Sequence, residues 1–170
     1  LQFVGTATIG TDHIDLDYLQ QRQIAFSSAP GCNKISVAEY VLSALLVLAE
    51  KQQCNLLTKT VAIVGAGNTG TAVYRCLSAL GVQCHLFDPP LQEAGDTRTF
   101  CDFEEVLKAD IISLHVPKIT RGKFKTVHLF NEHVLASLTP QQILINACRG
   151  EVIDNQALLN IALSGKAPTL

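Results

Sequence analysis

Methionine and tryptophan are absent from this 170-residue sequence, and charged residues are scarce. Asp, Glu, Lys and Arg make up only 16% of the chain, hydrophobic residues make up 48%, and the net charge is −2. This composition excludes a disordered chain. It also argues against a nucleic acid or an anionic membrane surface as the main partner, because both need an excess of basic residues. The lack of an initiator methionine before Leu1 predicts a segment of a longer protein.

Long apolar runs and paired cysteine motifs are also absent. The most apolar stretch, Val41 to Ala49, is bounded by Glu39 and Glu50. It is far shorter than the about 20 residues of a transmembrane helix. No basic segment followed by an apolar one, the pattern of a signal peptide, opens the chain. The six cysteines form no Cys-x-x-Cys pair and show no zinc-finger spacing. We therefore expect reduced cysteines, no metal and no membrane contact, in a cytoplasmic protein.

Short apolar runs alternate with helix-length amphipathic segments, which is typical of parallel β-α-β units. The pattern predicts strands over residues 24–28, 60–64, 83–87, 110–115 and 142–147. It predicts helices over residues 36–51, 69–80, 102–108, 131–138 and 154–164. Ser36 and Glu39 have the spacing of a capping box at the first of these helices. Gly81 is predicted to end the second helix, and the last three are predicted to be capped by Asp102, Asn131 and Asp154. The expected fold is α/β, a Rossmann-type doubly wound parallel sheet that is incomplete at its C-terminal strands.

A glycine-rich turn is the sharpest local motif, with the sequence Gly65-Ala66-Gly67-Asn68-Thr69-Gly70. It follows an apolar strand and opens a helix, as in dinucleotide-binding folds. There, Gly65 allows a tight turn, Gly67 lets a pyrophosphate approach the backbone, and Gly70 lets the helix pack on the strand. The N–H groups of Asn68 and Thr69 would lie at the positive end of the helix, which favours an anion. The alternative is a glycine-rich turn used only for packing.

Asp88 ends the next predicted strand, about 20 residues after the glycines, where an acidic residue accepts hydrogen bonds from the adenosine ribose hydroxyls. A 2′-phosphate would meet a like charge there, and no arginine follows at once. The position therefore favours NAD over NADP. The alternative role for Asp88 is that of a turn residue before Pro89 and Pro90.

Arg149 lies just past the carboxyl end of the strand predicted over 142–147, where open α/β sheets bind their ligands. A guanidinium there can hold the carboxylate of a hydroxy acid with two hydrogen bonds. The alternative is a structural salt bridge, for example with Asp154. His13 and His115 are candidate general bases, but a loop or cofactor-lining histidine is the favoured interpretation of both.

In combination, the motifs resemble the D-2-hydroxyacid dehydrogenase family. The resemblance rests on the glycine-rich turn, Asp88-Pro89-Pro90, His115-Val116-Pro117 and the string Asn146-Ala147-Cys148-Arg149-Gly150. Strings at residues 3–8, 10–15 and 29–33 resemble a subfamily that oxidises a small phosphorylated hydroxy acid. The resemblance implies the cofactor NAD and a homodimer that forms through the helix at 36–51. It also divides the chain into residues 1–8, the end of a substrate-binding domain, and residues 9–170, a truncated NAD-binding domain.

Residue roles follow from the same resemblance. Arg149 would be catalytic and Thr8 would contact the substrate. The cofactor-binding residues implied are Gly65, Gly67, Asn68, Thr69, Gly70, Asp88, Val116, Ala147, Cys148 and Arg149. Val116 stands where the subfamily often has Thr, so only its backbone is available to the cofactor.

The family's catalytic Glu and its acid/base His have no match here, and neither His13 nor His115 replaces that histidine. We therefore expect no useful turnover from the isolated segment. Two alternatives remain: another member of the family, such as one acting on 3-phosphoglycerate, or a regulatory module that only senses NAD. Arg149 and the basic loop at 118–125 favour an enzyme, because a sensor needs no group to hold a carboxylate.

Overall fold

A computed structural model describes residues 1–170 and contains two parallel sheets. The strands are β1 (Phe3–Thr6), β2 (Ala25–Ser28), β3 (Thr60–Val64), β4 (Gln83–Phe87), β5 (Ile111–Leu114) and β6 (Ile143–Asn146). The helices are α1 (Leu16–Gln21), α2 (Lys34–Lys51), α3 (Asn68–Ala79), α4 (Pro89–Glu93), α5 (Phe103–Lys108), α6 (Glu132–Ser137) and α7 (Asn155–Leu163). All five predicted strands and all five predicted helices are present, whereas β1, α1 and α4 were not predicted.

The larger sheet has the strand order β4-β3-β5-β6. The chain runs from β3 to β4 on one side and then crosses back to β5 on the other side. Isolated parallel bridges extend this order at both edges, from Phe100 to Leu86 and from Thr169 to Ile143. The Rossmann-type, doubly wound arrangement is therefore confirmed. Its order reverses between β3 and β5, and such folds bind ligands at the carboxyl ends of the strands on either side of that point.

Apolar side chains cover both faces of this sheet, as expected for a parallel sheet between helices. Val61 and Ile63 of β3 point to the face covered by α2 and α3, where Val41 and Leu45 of α2 are fully buried. The opposite face packs against α5, α6 and α7 around Phe130. Because β3 is held from both faces, the turn that follows it starts from a rigid strand.

Four helix ends lie where capping residues in the sequence predict them. Asp102, Asn131 and Asp154 each accept a hydrogen bond from a backbone N–H in the first turn of α5, α6 and α7, respectively. Gly81 follows α3 with φ at +89°, and its N–H bonds to the carbonyl of Ser78. These polar caps and the glycine stop were predicted correctly because they depend on neighbouring residues alone.

The capping box predicted at Ser36 and Glu39 is wrong. Helix α2 begins two residues earlier, at Lys34, and Asn33 is its N-cap residue without a side-chain hydrogen bond. The N–H of Val37 instead bonds to the carbonyl of Asn33. Ser36 therefore already lies within the first turn of the helix.

The outer face of α2 carries exposed apolar side chains, including Ile35, Tyr40 and Val47, which are 56%, 66% and 50% exposed. The inner face of α2 packs against the sheet, while its outer face lies open. No helix in the structure has both the length and the hydropathy that crossing a membrane requires.

The smaller sheet pairs β1 with β2 in parallel, from Phe3 opposite Ala25 to Thr6 opposite Ser28. This pairing places residues on both sides of the predicted boundary at residue 8 in one small unit. The boundary stays a prediction.

Candidate nucleotide and substrate site

The glycine-rich turn lies between β3 and α3 and packs tightly against the end of β5. Gly65 has φ at +94°, and a Cβ on it would lie 2.7 Å from the carbonyl oxygen of His115. A Cβ on Gly70 would lie only 1.8 Å from the carbonyl oxygen of Gly65. Both glycines therefore permit close packing of backbone on backbone, which is the role that the motif predicts for them.

Gly67, by contrast, faces open space: a Cβ there would meet no atom within 4 Å. Gly67 is also the N-cap residue of α3, and no side chain caps this 12-residue helix. The first N–H groups of the helix, at Asn68 and Thr69, are thus left without a side-chain acceptor at an accessible edge. Free N–H groups, a helix N-terminus and room above the backbone fit a pyrophosphate.

The backbone of Ala66, in the middle of the turn, forms hydrogen bonds through both its N–H and its carbonyl group. Its N–H donates to Oδ2 of Asp88 at 2.8 Å. Its carbonyl accepts from Oγ1 of Thr71 at 2.8 Å and from Nη1 of Arg98 at 3.0 Å. Arg98 was not predicted from the sequence, because it reaches the turn from a loop beyond α4. These three side chains fix the conformation of the turn.

Asp88 fills its predicted role as a turn residue, whereas its contact with a ribose stays a prediction. Its Oδ1 accepts from the N–H of Leu91 at 3.1 Å and caps α4, as a turn residue would. Its Oδ2 accepts from the N–H of Ala66, which places the carboxylate beside the glycine-rich turn. Each oxygen retains acceptor capacity for a hydroxyl.

Arg98 qualifies the argument for NAD over NADP, because an arginine does lie near Asp88. Hydrogen bonds to Asp96 raise the pKa of the Arg98 guanidinium, and the negative charge of Asp88 raises it further. The two hydrogen bonds from Arg98 to Asp96 measure 2.7 and 2.9 Å. Asp96 thus balances the positive charge of Arg98.

His115 follows β5 and is largely buried. Its Nε2 lies 2.8 Å from Oγ of the fully buried Ser113, and its buried Nδ1 has no hydrogen-bond partner. Burial lowers the pKa of His115 from 6.5 to about 4, so the ring is neutral at pH 7. Val116, the next residue, packs in the core with its side chain, which leaves its backbone for other contacts.

The segment after β6 forms a compact turn that carries Arg149. Asn146 accepts from the N–H of Cys148 at 3.1 Å and donates to the carbonyl of Arg149 at 2.9 Å. The N–H of Ala147 bonds to the carbonyl of Leu114, which ties the turn to the end of β5. Burial raises the pKa of the Cys148 thiol, which disfavours the reactive thiolate form.

Arg149 pairs with Asp12, and the alternative partner Asp154 is wrong. Nε of Arg149 lies 3.2 and 3.1 Å from the two carboxylate oxygens of Asp12, and Nη2 lies 2.9 Å from Oδ1. Asp154 instead caps α7 and lies 3.7 Å from Nδ1 of His128. Hydrogen bonds from Arg149 lower the pKa of Asp12 to about 2. The sequence gives no direct sign of this long-range pair.

Thr8 is linked to the same arginine by way of Gly10, which both residues contact. Oγ1 of Thr8 donates to the carbonyl of Gly10 at 2.9 Å, and a Cβ on Gly10 would lie 1.7 Å from Nη2 of Arg149. The structure thus brings Thr8, Gly10, Asp12 and Arg149 together at one end of the sheet.

Two lysines of the basic loop pair with acidic side chains, Lys118 with Glu151 and Lys123 with Glu93. No group of three or more His, Cys, Asp or Glu side chains is arranged to hold a metal ion. All six cysteines are free.

A doubly wound parallel sheet, a glycine-rich turn at its switch point and an acidic residue after the next strand define a dinucleotide-binding domain. Residues 47–169 match the model of the family described as D-isomer specific 2-hydroxyacid dehydrogenase, NAD binding domain. The chain belongs to this family, and its domain is the NAD-binding one.

Two curated relatives, both named erythronate-4-phosphate dehydrogenase, show the level of similarity. The protein of Psychromonas ingrahamii is 68% identical over 170 residues, which cover 100% of this chain and 44% of the relative. The protein of Pseudoalteromonas atlantica is 55% identical over 165 residues, which cover 97% of this chain and 44% of the relative. The chain thus spans less than half the length of these relatives.

Solved structures give the same fold. D-lactate dehydrogenase from Aquifex aeolicus, complexed with NAD and lactic acid, matches with a TM-score of 0.75 at 29% identity. That match covers 98% of this chain and 56% of the solved one. NAD-dependent formate dehydrogenase from Staphylococcus aureus, in complex with NAD, matches with a TM-score of 0.78 at 28% identity and covers 96% and 55% of the two chains.

Proposed function

We propose that this chain is the cofactor-binding part of an enzyme that oxidises 4-phospho-D-erythronate to its 2-oxo acid with NAD, a step of pyridoxal phosphate biosynthesis. One observation carries the proposal. The carboxyl edge of the sheet holds an open helix N-terminus after β3, a carboxylate after β4 and a guanidinium after β6. The name shared by the relatives, at 68% and 55% identity, supports the choice of substrate.

The cofactor residues act through the geometry described above. Asp88 accepts hydrogen bonds from the adenosine ribose, and the N–H groups of Asn68 and Thr69 bind the pyrophosphate above Gly67. The backbone of Val116 and the turn from Ala147 to Arg149 line the nicotinamide side. These residues would hold NAD, which would supply the hydride acceptor for the carbon that carries the substrate hydroxyl.

Arg149 holds the substrate carboxylate and orients the reacting carbon, and Thr8 contacts the substrate from the opposite segment. Orientation of this kind supplies a large part of the rate enhancement in two-reactant steps. His115 is not the proton acceptor, because it is buried and bonded to Ser113. We expect the 170-residue chain on its own to bind NAD without turnover.

The division into the end of a substrate-binding domain, at residues 1–8, and an NAD-binding domain, at residues 9–170, remains part of this proposal. So do a homodimer and a location in the cytoplasm. The exposed apolar face of α2, with Ile35, Tyr40 and Val47, supports the homodimer. Size-exclusion chromatography coupled to light scattering tests it, and a monomer at high protein concentration would contradict it.

The experiment for the activity uses the full-length protein, NAD and either 4-phospho-D-erythronate or 3-phosphoglycerate, with NADH absorbance as the readout. We expect turnover with the first substrate and at least about tenfold lower kcat/KM with the second. A preference for 3-phosphoglycerate would identify another member of the family. NAD binding without turnover of either acid would favour the regulatory module instead.

The role of Arg149 is tested in the same assay. Arg149→Lys loses the two-point contact with the carboxylate, and kcat/KM should fall by about 100-fold or more. Arg22→Lys, at the exposed end of α1, is the matched control and should match the wild-type protein. Equal activity of both variants would remove Arg149 from the site.

A further inference from the structure

We propose that Asp12 is a positioning residue that fixes the guanidinium of Arg149 by one edge and leaves the other edge to the substrate carboxylate. The sequence points to Arg149 alone. The carboxylate part of this inference rests on the proposed function, whereas the positioning part depends only on the structure.

The hydrogen bonds of Arg149 divide its five N–H groups into two sets. Asp12 accepts from Nε and from Nη2, at distances between 2.9 and 3.2 Å, and the carbonyl of Cys148 accepts from Nη1 at 3.1 Å. One N–H on Nη1 and one on Nη2 therefore remain. A guanidinium offers such a pair to both oxygens of a carboxylate.

The backbone of Gly10 also limits the positions open to the Arg149 guanidinium. Because a Cβ at this position would lie 1.7 Å from Nη2, the side chain of Arg149 passes directly over the Gly10 backbone. Thr8 holds that backbone by its hydrogen bond to the Gly10 carbonyl. Residues 8–12 thus confine the guanidinium by contact, and Asp12 sets its orientation by hydrogen bonds.

The pair is not a major source of stability. The side chains of Arg149 and Asp12 are 33% and 40% exposed, and ion pairs as exposed as this contribute about 0–1 kcal/mol. Its consequence is instead the loss of side-chain freedom in Arg149 before any ligand arrives. A competing role, in which Asp12 merely occupies the place of the substrate carboxylate, makes the opposite prediction for the removal of Asp12.

The first experiment measures the side chain itself. We compare the NMR signal of the Arg149 Nε–H group in the wild-type chain, in Asp12→Ala and in Glu104→Ala. Glu104 is the control, since it forms an exposed pair with Lys108 on α5. We expect a sharp, exchange-protected signal in the wild type and in Glu104→Ala, and its loss in Asp12→Ala. A protected signal in Asp12→Ala would overturn the proposal.

The second experiment measures kcat and KM of the full-length variants with 4-phospho-D-erythronate. Misplaced reacting groups typically cost about 100-fold, so kcat/KM of Asp12→Ala should fall by about that factor, with a loss in kcat as well as a rise in KM. Asp12→Glu should restore part of the activity, and Glu104→Ala should match the wild type. A lower KM for Asp12→Ala with unchanged kcat would show that Asp12 only competes with the substrate. If the wild type itself shows no turnover, the proposed function fails, and the NMR comparison still decides whether Asp12 holds Arg149.

Discussion

Alanine substitutions at Gly70 and Gly67 make the same chemical change at two positions of one motif. Gly70→Ala should lower the stability of the fold, whereas Gly67→Ala should weaken NAD binding. A Cβ on Gly70 would lie 1.8 Å from the carbonyl oxygen of Gly65, and that oxygen belongs to rigid backbone. The helix must therefore move from the strand by about 1 Å, and such overpacking costs about 3 kcal/mol. Alanine is favoured over glycine within a helix by about 1 kcal/mol, which offsets part of the loss.

The net destabilisation of Gly70→Ala is thus about 2 kcal/mol, or a fall in Tm of about 4–8 °C for a chain of this size. Gly67→Ala meets no atom within 4 Å and should change the free energy of unfolding by less than about 1 kcal/mol. Its methyl group would instead stand in the space assigned to the pyrophosphate and weaken NAD binding. Thermal unfolding and an NAD titration of both variants test this. Wild-type stability in Gly70→Ala, or wild-type NAD affinity in Gly67→Ala, would refute the reasoning.

Two further predictions concern His115 and Arg98. The pKa of His115 is about 4 in the folded chain and 6.5 in the unfolded chain, so the unfolded chain binds the proton at a higher pH. The free energy of unfolding should therefore be independent of this histidine above about pH 6.5 and should fall by up to about 3 kcal/mol as the pH drops to 4. Urea unfolding of the wild type and of His115→Phe across this range measures the effect, and an equally steep decline in the variant would exclude His115 as its cause. Arg98→Met removes the hydrogen bond to the Ala66 carbonyl and should weaken NAD about tenfold, or about 1.4 kcal/mol. The control is Arg22→Met, at the exposed end of α1, and equal NAD affinity of the two variants would contradict the positioning of the turn by Arg98.

The sequence predicted best what depends on neighbouring residues. The strand Thr60–Val64, the glycine-rich turn and the stop at Gly81 were all found, because apolar runs, glycines and caps act locally. The start of α2 was wrongly predicted at Ser36. The helix begins at Lys34 because backbone hydrogen bonds, such as the one from Val37 to Asn33, form its first turn without a side-chain cap.

Long-range contacts were not predictable in the same way. Asp12 and Arg149 are far apart in the sequence, and no spacing rule connects them; only the fold brings the β1–α1 segment to the end of β6. Arg98 was missed for a similar reason, because it reaches the glycine-rich turn from a loop after α4. The pairing of β1 with β2 also escaped prediction, since both strands are short and half exposed and lack a continuous apolar run.

The central claim is that this chain binds NAD with the adenosine ribose on Asp88. Calorimetric titration of the wild type and of Asp88→Ala with NAD and with NADP tests it most directly. We predict that the wild type binds NAD at least about tenfold more tightly than NADP, and that Asp88→Ala loses about 10–100-fold in NAD affinity, as expected for charge-assisted hydrogen bonds of about 1.5–3 kcal/mol. The preference for NAD should also disappear in the variant, which damage to the turn alone would not cause. No binding of NAD by the wild type, or an unchanged ratio of NAD to NADP affinity in Asp88→Ala, would contradict the account.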